Sequence, residues 1–188
     1  REGNMQCARV LLDHDADPNQ APTGEPGPLA VAAGRNAARL VWSLLVRRAD
    51  ANGGSGPPPL HQALQAAARP VVVGMLVAGG ADVAAEDVAG DSPLKAAIVG
   101  DADSSAVSIL LRWKADPKST GRLGSTVMHD VCSSANPSAA AVLRLIELKA
   151  RVEVRHGATG RTPLFGALEH DGDGSVVSIL VRSKVRAH

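Results

Sequence analysis

The sequence predicts an all-α fold, a row of helix–turn–helix units. Three observations carry that prediction. One segment occurs six times at near-constant spacing, a second precedes each of the last five copies, and the apolar content is built from small side chains. Of 188 residues 45% are hydrophobic, yet there is one Phe, two Trp and no Tyr. A single large core draws on aromatics for bulk. A core of Ala, Val and Leu instead suits thin, closely packed helical layers.

The recurring segment reads "LLDHDADPN" from Leu11, "LLVRRADAN" from Leu44, "LVAGGADVA" from Leu76, "LLRWKADPK" from Leu110, "LIELKARVE" from Leu145 and "LVRSKVRAH" from Leu180. The offsets are 33, 32, 34, 35 and 35 residues. Such a period marks a repeat architecture. It also decides how Asp13, His14 and Asp15 are read. Sister copies fill those positions with Val-Arg-Arg, Ala-Gly-Gly, Arg-Trp-Lys, Glu-Leu-Lys and Arg-Ser-Lys, so the three are expected to end a helix rather than hold a metal. Asp17, Asp50, Asp82 and Asp116, which follow Ala in four copies, are expected to accept backbone hydrogen bonds where helix gives way to turn.

The preceding segment reads "GPLAVAA" from Gly27, "PPLHQAL" from Pro58, "SPLKAAI" from Ser92, "TVMHDVC" from Thr126 and "TPLFGAL" from Thr162. Ser92, Thr126 and Thr162 suit an N-cap, and Pro28, Pro59, Pro93 and Pro163 suit the first turn, where no N–H is needed. Leu29, Leu60, Leu94, Met128 and Leu164 are the first core anchors, and small residues such as Ala33, Ala63 and Ala97 let helices approach. A second helix follows, with apolar pairs four apart such as Val41 and Leu45, or Val73 and Val77. Helices are predicted near Pro28–Gly34 and Ala37–Arg47, with equivalents through Val176–Ser183.

These segments resemble the ankyrin repeat family, whose signature is Thr-Pro-Leu-His-x-Ala-Ala, a second helix and Gly-Ala-Asp. The resemblance covers essentially the whole chain. It implies an ankyrin-repeat solenoid of helix-turn-helix units joined by short β-hairpin-like loops, and a structural role for the histidine, which braces its repeat through backbone bonds. His61 and His129 keep that residue, while Ala30, Lys95 and Phe165 replace it. Gly27 and Pro58 replace the capping Thr, and Val127 the Pro. Losing a cap costs about 0.5–2 kcal/mol, so the second and third units are expected to be the softer ones.

The units divide as a partial repeat 1–19, then 20–52, 53–84, 85–118, 119–153 and 154–188, one array with both ends expected to be cut. "REGN" matches the turn before a second helix, and nothing resembles a polar capping repeat. The chain opens on Arg1, so its true N-terminus is expected to lie further upstream.

Chemistry finds little footing. Net charge is +1, giving no bulk attraction to nucleic acid or anionic membrane. The longest apolar run, "PVVVGMLVAGGA" from Pro70, is too short to span a bilayer. Cys7 and Cys132 share no motif spacing and imply no disulfide framework, and an intracellular location is the expectation. His129, Asp130 and Cys132 cluster in sequence, but helix neighbours point apart and no third partner is evident. "HDGDGS" at 170–175 begins like a calcium loop, yet the bidentate acid expected twelfth from Asp171 is Arg182. "GDADSS" from Gly100 fails likewise at Arg112, so Asp171 and Asp173 are read as helix caps. "GGSGPPP" lacks the Lys-Ser/Thr of a phosphate loop. No catalytic residues, metal or cofactor are expected.

What remains is charge on the loops. Residues 61–110 hold two basic and six acidic residues, residues 111–161 nine basic and four acidic. Glu86, Asp87 and Asp91 sit in one predicted loop, Lys118, Arg122, Arg155, His156 and Arg161 in the next two. One reading is an ordinary solvated surface. The other is a bipolar edge that orients a protein partner of mixed charge. Trp42 and Trp113 lie outside the core stripe, aligned with Gly74 and Leu148. They either fill the groove beside those residues or anchor a partner on the convex side. The expected function is a non-catalytic protein–protein interaction scaffold binding through loops and concave helix face. The alternatives are the ankyrin segment of a larger enzyme, channel or signalling protein, and a subunit of a large assembly.

Overall fold

The computed structural model describes residues 10, 11, 13, 14, 16–54, 56–88, 90–99, 104–121, 124–134 and 137–185. The readings made on Arg1–Arg9, Cys7, Asp15, Arg122 and residues 100–103 fall outside them. The described helices are α1 (Pro28–Gly34), α2 (Ala38–Val46), α3 (Pro59–Gln65), α4 (Pro70–Ala78), α5 (Pro93–Val99), α6 (Ser104–Arg112), α7 (Val127–Cys132), α8 (Ala139–Glu147), α9 (Pro163–His170) and α10 (Ser175–Val185). The first matches its predicted span. Ala37 and Arg47, expected inside α2, are its caps, and α10 runs one residue earlier and two later than expected.

Each odd-numbered helix packs on the next odd one, α1 on α3 on α5 on α7 on α9. Even-numbered helices do likewise, α2 on α4 on α6 and α8 on α10, and each helix also packs on its own pair-mate. The core is the seam between the two rows. Leu29, Leu60, Leu94 and Met128 are all buried there, joined by Val41, Leu44, Val72, Leu76, Leu110, Val142 and Leu145. Leu164, expected as the fifth anchor, is half-buried, because no described helix packs on the far side of α9.

Local bonds repeat with the period. The amides of Ala49, Ala81, Ala115 and Ala150 each donate to the carbonyl five residues back, on Leu44, Leu76, Leu110 and Leu145, at 2.9, 3.0, 3.0 and 2.9 Å. This is the helix-ending bond that needs a left-handed residue just before the alanine. Gly80 (φ 99°) supplies it in one unit, but Arg48 (63°), Lys114 (68°) and Lys149 (57°) must adopt it in the others. The following Asp17, Asp50, Asp82 and Asp116 each accept the amide two residues on, at 2.8–2.9 Å, as their type and place predicted.

Of the expected caps, Thr126 forms a reciprocal box with His129, and Ser92 accepts the Lys95 amide at 3.3 Å. Thr162 makes no side-chain cap bond. The Phe165 amide, which such a cap would take, donates to the Thr162 carbonyl at 2.9 Å instead. The expected β-hairpins carry no strand among the described residues, which show one isolated bridge, Thr120 to Thr126. Backbone bonds close the turns instead: Asp87 to Asp91 (3.0 Å), Gly121 to Ser125 (2.7 Å) and His156 to Arg161 (2.8 Å). Consecutive turns nest backbone against backbone. A Cβ on Gly56 would lie 2.3 Å from the Glu25 carbonyl oxygen, and one on Gly121 2.8 Å from that of Gly90.

Candidate protein-binding edge

The nested turns line one side of the first-helix row, and two histidines tie that row to them. His61, buried in α3, donates through Nε2 to the carbonyl oxygen of Asp91 at 2.7 Å. His129, buried in α7, does the same to Arg161 at 3.1 Å. Both reach the turn of the following unit, so the bracing role expected of them is what the geometry holds. His129 Nδ1 lies 2.8 Å from the Thr126 hydroxyl and accepts the Thr126 amide at 3.3 Å. Among the described residues His61 Nδ1 is buried without a partner. Burial holds the His129 pKa below the ordinary histidine value, with the nearby His156 adding to it against the opposing bonds to Arg161 and Val154 and the charge of Asp130.

Lys95 occupies the histidine position of its unit and braces by charge. Its ammonium contacts the Asp91 carboxylate of its own turn and lies 3.1 Å from Asp130 Oδ2 of the next unit. The Ser125 hydroxyl donates to the other Asp130 oxygen at 2.8 Å. Burial pulls the Lys95 pKa down, but Asp91 and Asp130 together more than offset it and leave it raised. The network opens into a cleft of about 190 Å³ bordered by Ser119, Gly121 and His156. Read alone, the sequence places Asp91 four residues before Lys95, but nothing in it couples either residue to Asp130.

The structure divides the residues proposed to face a partner. Glu86, Lys118 and Arg155 are exposed on three successive turns. Asp87, by contrast, accepts the Asp91 amide at 2.9 Å and Gln65 Nε2 at 3.4 Å, and Asp91 serves Lys95 and His61. His156 uses Nδ1 to accept the amides of Ala158 (3.2 Å) and Thr159 (3.3 Å). Arg161 pairs with Glu169 at 2.9 Å and lies 4.4 Å from the Phe165 ring centre. Asp87 and His156 take backbone amides of their own turns, whereas Asp91 and Arg161 pair with charged side chains. All four thus already carry bonds within the chain.

Trp42 is 59% exposed and Trp113 49%. Trp42 borders a shallow groove with Ala38, Arg39, Ser43 and Met75. A Cβ on Gly74 would meet nothing within 4 Å, so the indole does not fill the space above that glycine as proposed. Residues weighed for chemistry are engaged otherwise. Asp13 pairs with Arg47 at 2.8 Å, while Asp171 and Asp173 accept the amides of Val177 (2.8 Å) and Ser175 (2.9 Å) at the start of α10. Among the described residues no three His, Cys, Asp or Glu side chains gather as metal ligands. Burial, helped by the Asp171 charge, pushes the Cys132 thiol up to about 12. No described helix is long and apolar enough to cross a membrane.

Two asparagines escaped sequence reading. Asn19 accepts the Asp50 amide at 2.6 Å and donates to the Arg48 carbonyl. Asn52 does the same for Asp82 and Gly80, one unit on. Their recurrence at the third place after Ala was the available signal, and it lapses at Ala84 and Lys118. No protein-family model matches the chain, and neither does any curated protein.

Proposed function

We propose that the chain is an ankyrin-type repeat array and acts as a non-catalytic scaffold that binds a protein through its turns and the first-helix row. The observation that carries this reading is the division of labour along each unit. Periodic residues are spent on the core, the helix-ending bonds and the histidine or lysine braces. Glu86, Lys118 and Arg155 stand exposed on successive turns, acidic in the first and basic in the next two. Fixed charges of opposite sign along one edge select a partner's orientation more than its affinity.

The test is affinity capture from the native source by the wild-type chain and by an E86K/K118E/R155E variant, followed by binding with purified partner. A partner whose association rate falls in the variant, with the difference shrinking as salt rises, supports the reading. A partner bound equally by both, or no partner retained at all, removes it. A second reading, a subunit held in a larger assembly by the outer face of the second helices, is favoured by the exposure of Trp42 and Trp113. A W42A/W113A variant tested in the same capture separates the two.

A further inference from the structure

The loop joining α8 to α9 is folded around one nitrogen. His156 Nδ1 accepts the amides of Ala158 and Thr159 at 3.2 and 3.3 Å, which requires a lone pair there and hence an uncharged ring with its proton on Nε2. The same residue's backbone closes the turn, its amide donating to Arg161 at 2.8 Å and its carbonyl accepting from Gly160 at 2.8 Å. Arg155 is held at this tip through Nη1 to the Gly160 carbonyl at 3.3 Å. We propose that this turn is a proton-operated clamp: protonation of His156 at Nδ1 places an N–H where two amide N–H groups already point, releases the tip, and re-aims Arg155 on the binding edge.

The surroundings set how the charge is received. Arg155 and Arg161, in the same loop, oppose a third positive charge. From α7, the His129 ring meets that of His156 edge-on at 5.7 Å, and its own charging is disfavoured by burial. Across the cleft lie Asp91 and Asp130, both already in contact with Lys95. They favour a charged imidazole that swings towards them and away from the amides it held. The effect on binding rests on the scaffold reading, whereas the clamp is a property of the chain alone.

Amide hydrogen exchange of the free chain, expressed as protection factors at about pH 7.5 and 5.5, spans the range where imidazole charge changes. Ala158 and Thr159 should lose severalfold of their protection at the lower pH, because the charged ring has no lone pair left for either amide. The variant H156N, whose uncharged amide oxygen can accept from the same N–H groups, should keep its protection at both. Unchanged protection in the wild type, or an equal fall in H156N, overturns the clamp. Should H156N fold poorly, nitrogen NMR of the wild-type imidazole still decides, because a proton on Nδ1 at pH 7.5 contradicts it. Failure to bind any protein would sink the scaffold reading and leave these outcomes unaffected.

Discussion

His61 Nε2 lies 2.7 Å from the carbonyl oxygen of Asp91, so a side chain in one unit fixes the turn of the next. The other ring nitrogen of His61 has no partner among the described residues, because Pro58 supplies neither the hydroxyl nor the amide that Thr126 gives His129. The variant P58T should therefore restore both groups on an already extended backbone (φ −60°, ψ 130°). A cap is worth about 0.5–2 kcal/mol and a satisfied buried acceptor about 1–3, against about 0.4–1 lost with proline's stiffening of the unfolded chain. A net gain of about 1 kcal/mol is expected from urea unfolding at neutral pH. Equal or lower stability would show that the lone nitrogen costs nothing.

The left-handed residue that ends each second helix gives a paired test. Gly80 occupies this place comfortably, and a Cβ there would meet nothing within 4 Å, so G80A probes the backbone alone and should cost about 1 kcal/mol. The reverse change, K149G, relieves the same strain at φ 57° and should stabilise by about 0.5 kcal/mol once glycine's freer unfolded state is counted. Thermal melts that move both variants in the same direction would contradict this account.

Legibility in the sequence followed periodicity. Leu29, Leu60, Leu94, Met128 and the four turn aspartates fill roles that repeat at fixed offsets, and each behaves as its place predicts. The edge was harder to read because its bonds join residues of different units without a periodic demand on their identity. The pairing of Lys95 with Asp130 and the nesting of Gly121 on Gly90 are of this kind. Charge alone also does not separate Asp87 and Arg161, which hold side chains of other elements, from Glu86 and Arg155.

That distinction predicts unequal responses to charge reversal. R155E removes one exposed bond to a carbonyl and should change stability by no more than about 0.5 kcal/mol. R161E removes the contact with Phe165 and sets like charges beside Glu169, so about 1 kcal/mol should be lost. Chemical denaturation of the two single variants suffices. Equal effects would mean that the Arg161 contacts add nothing beyond ordinary surface charge.

Lys95 sets an alkaline limit. Its pKa is raised above 10.5, so the native chain holds a proton that the unfolded chain releases first as pH climbs. The stability it contributes is complete below 10.5 and disappears as pH rises through the folded value. K95Q leaves Asp91 and Asp130 facing each other across a partly buried site and should cost about 1–2 kcal/mol at neutral pH, between exposed and fully buried pairs. The deficit should shrink as Lys95 of the wild type deprotonates. A gap that stays constant from neutral pH to beyond that transition would show that packing of the lysine stem, and not its charge, holds the two units together.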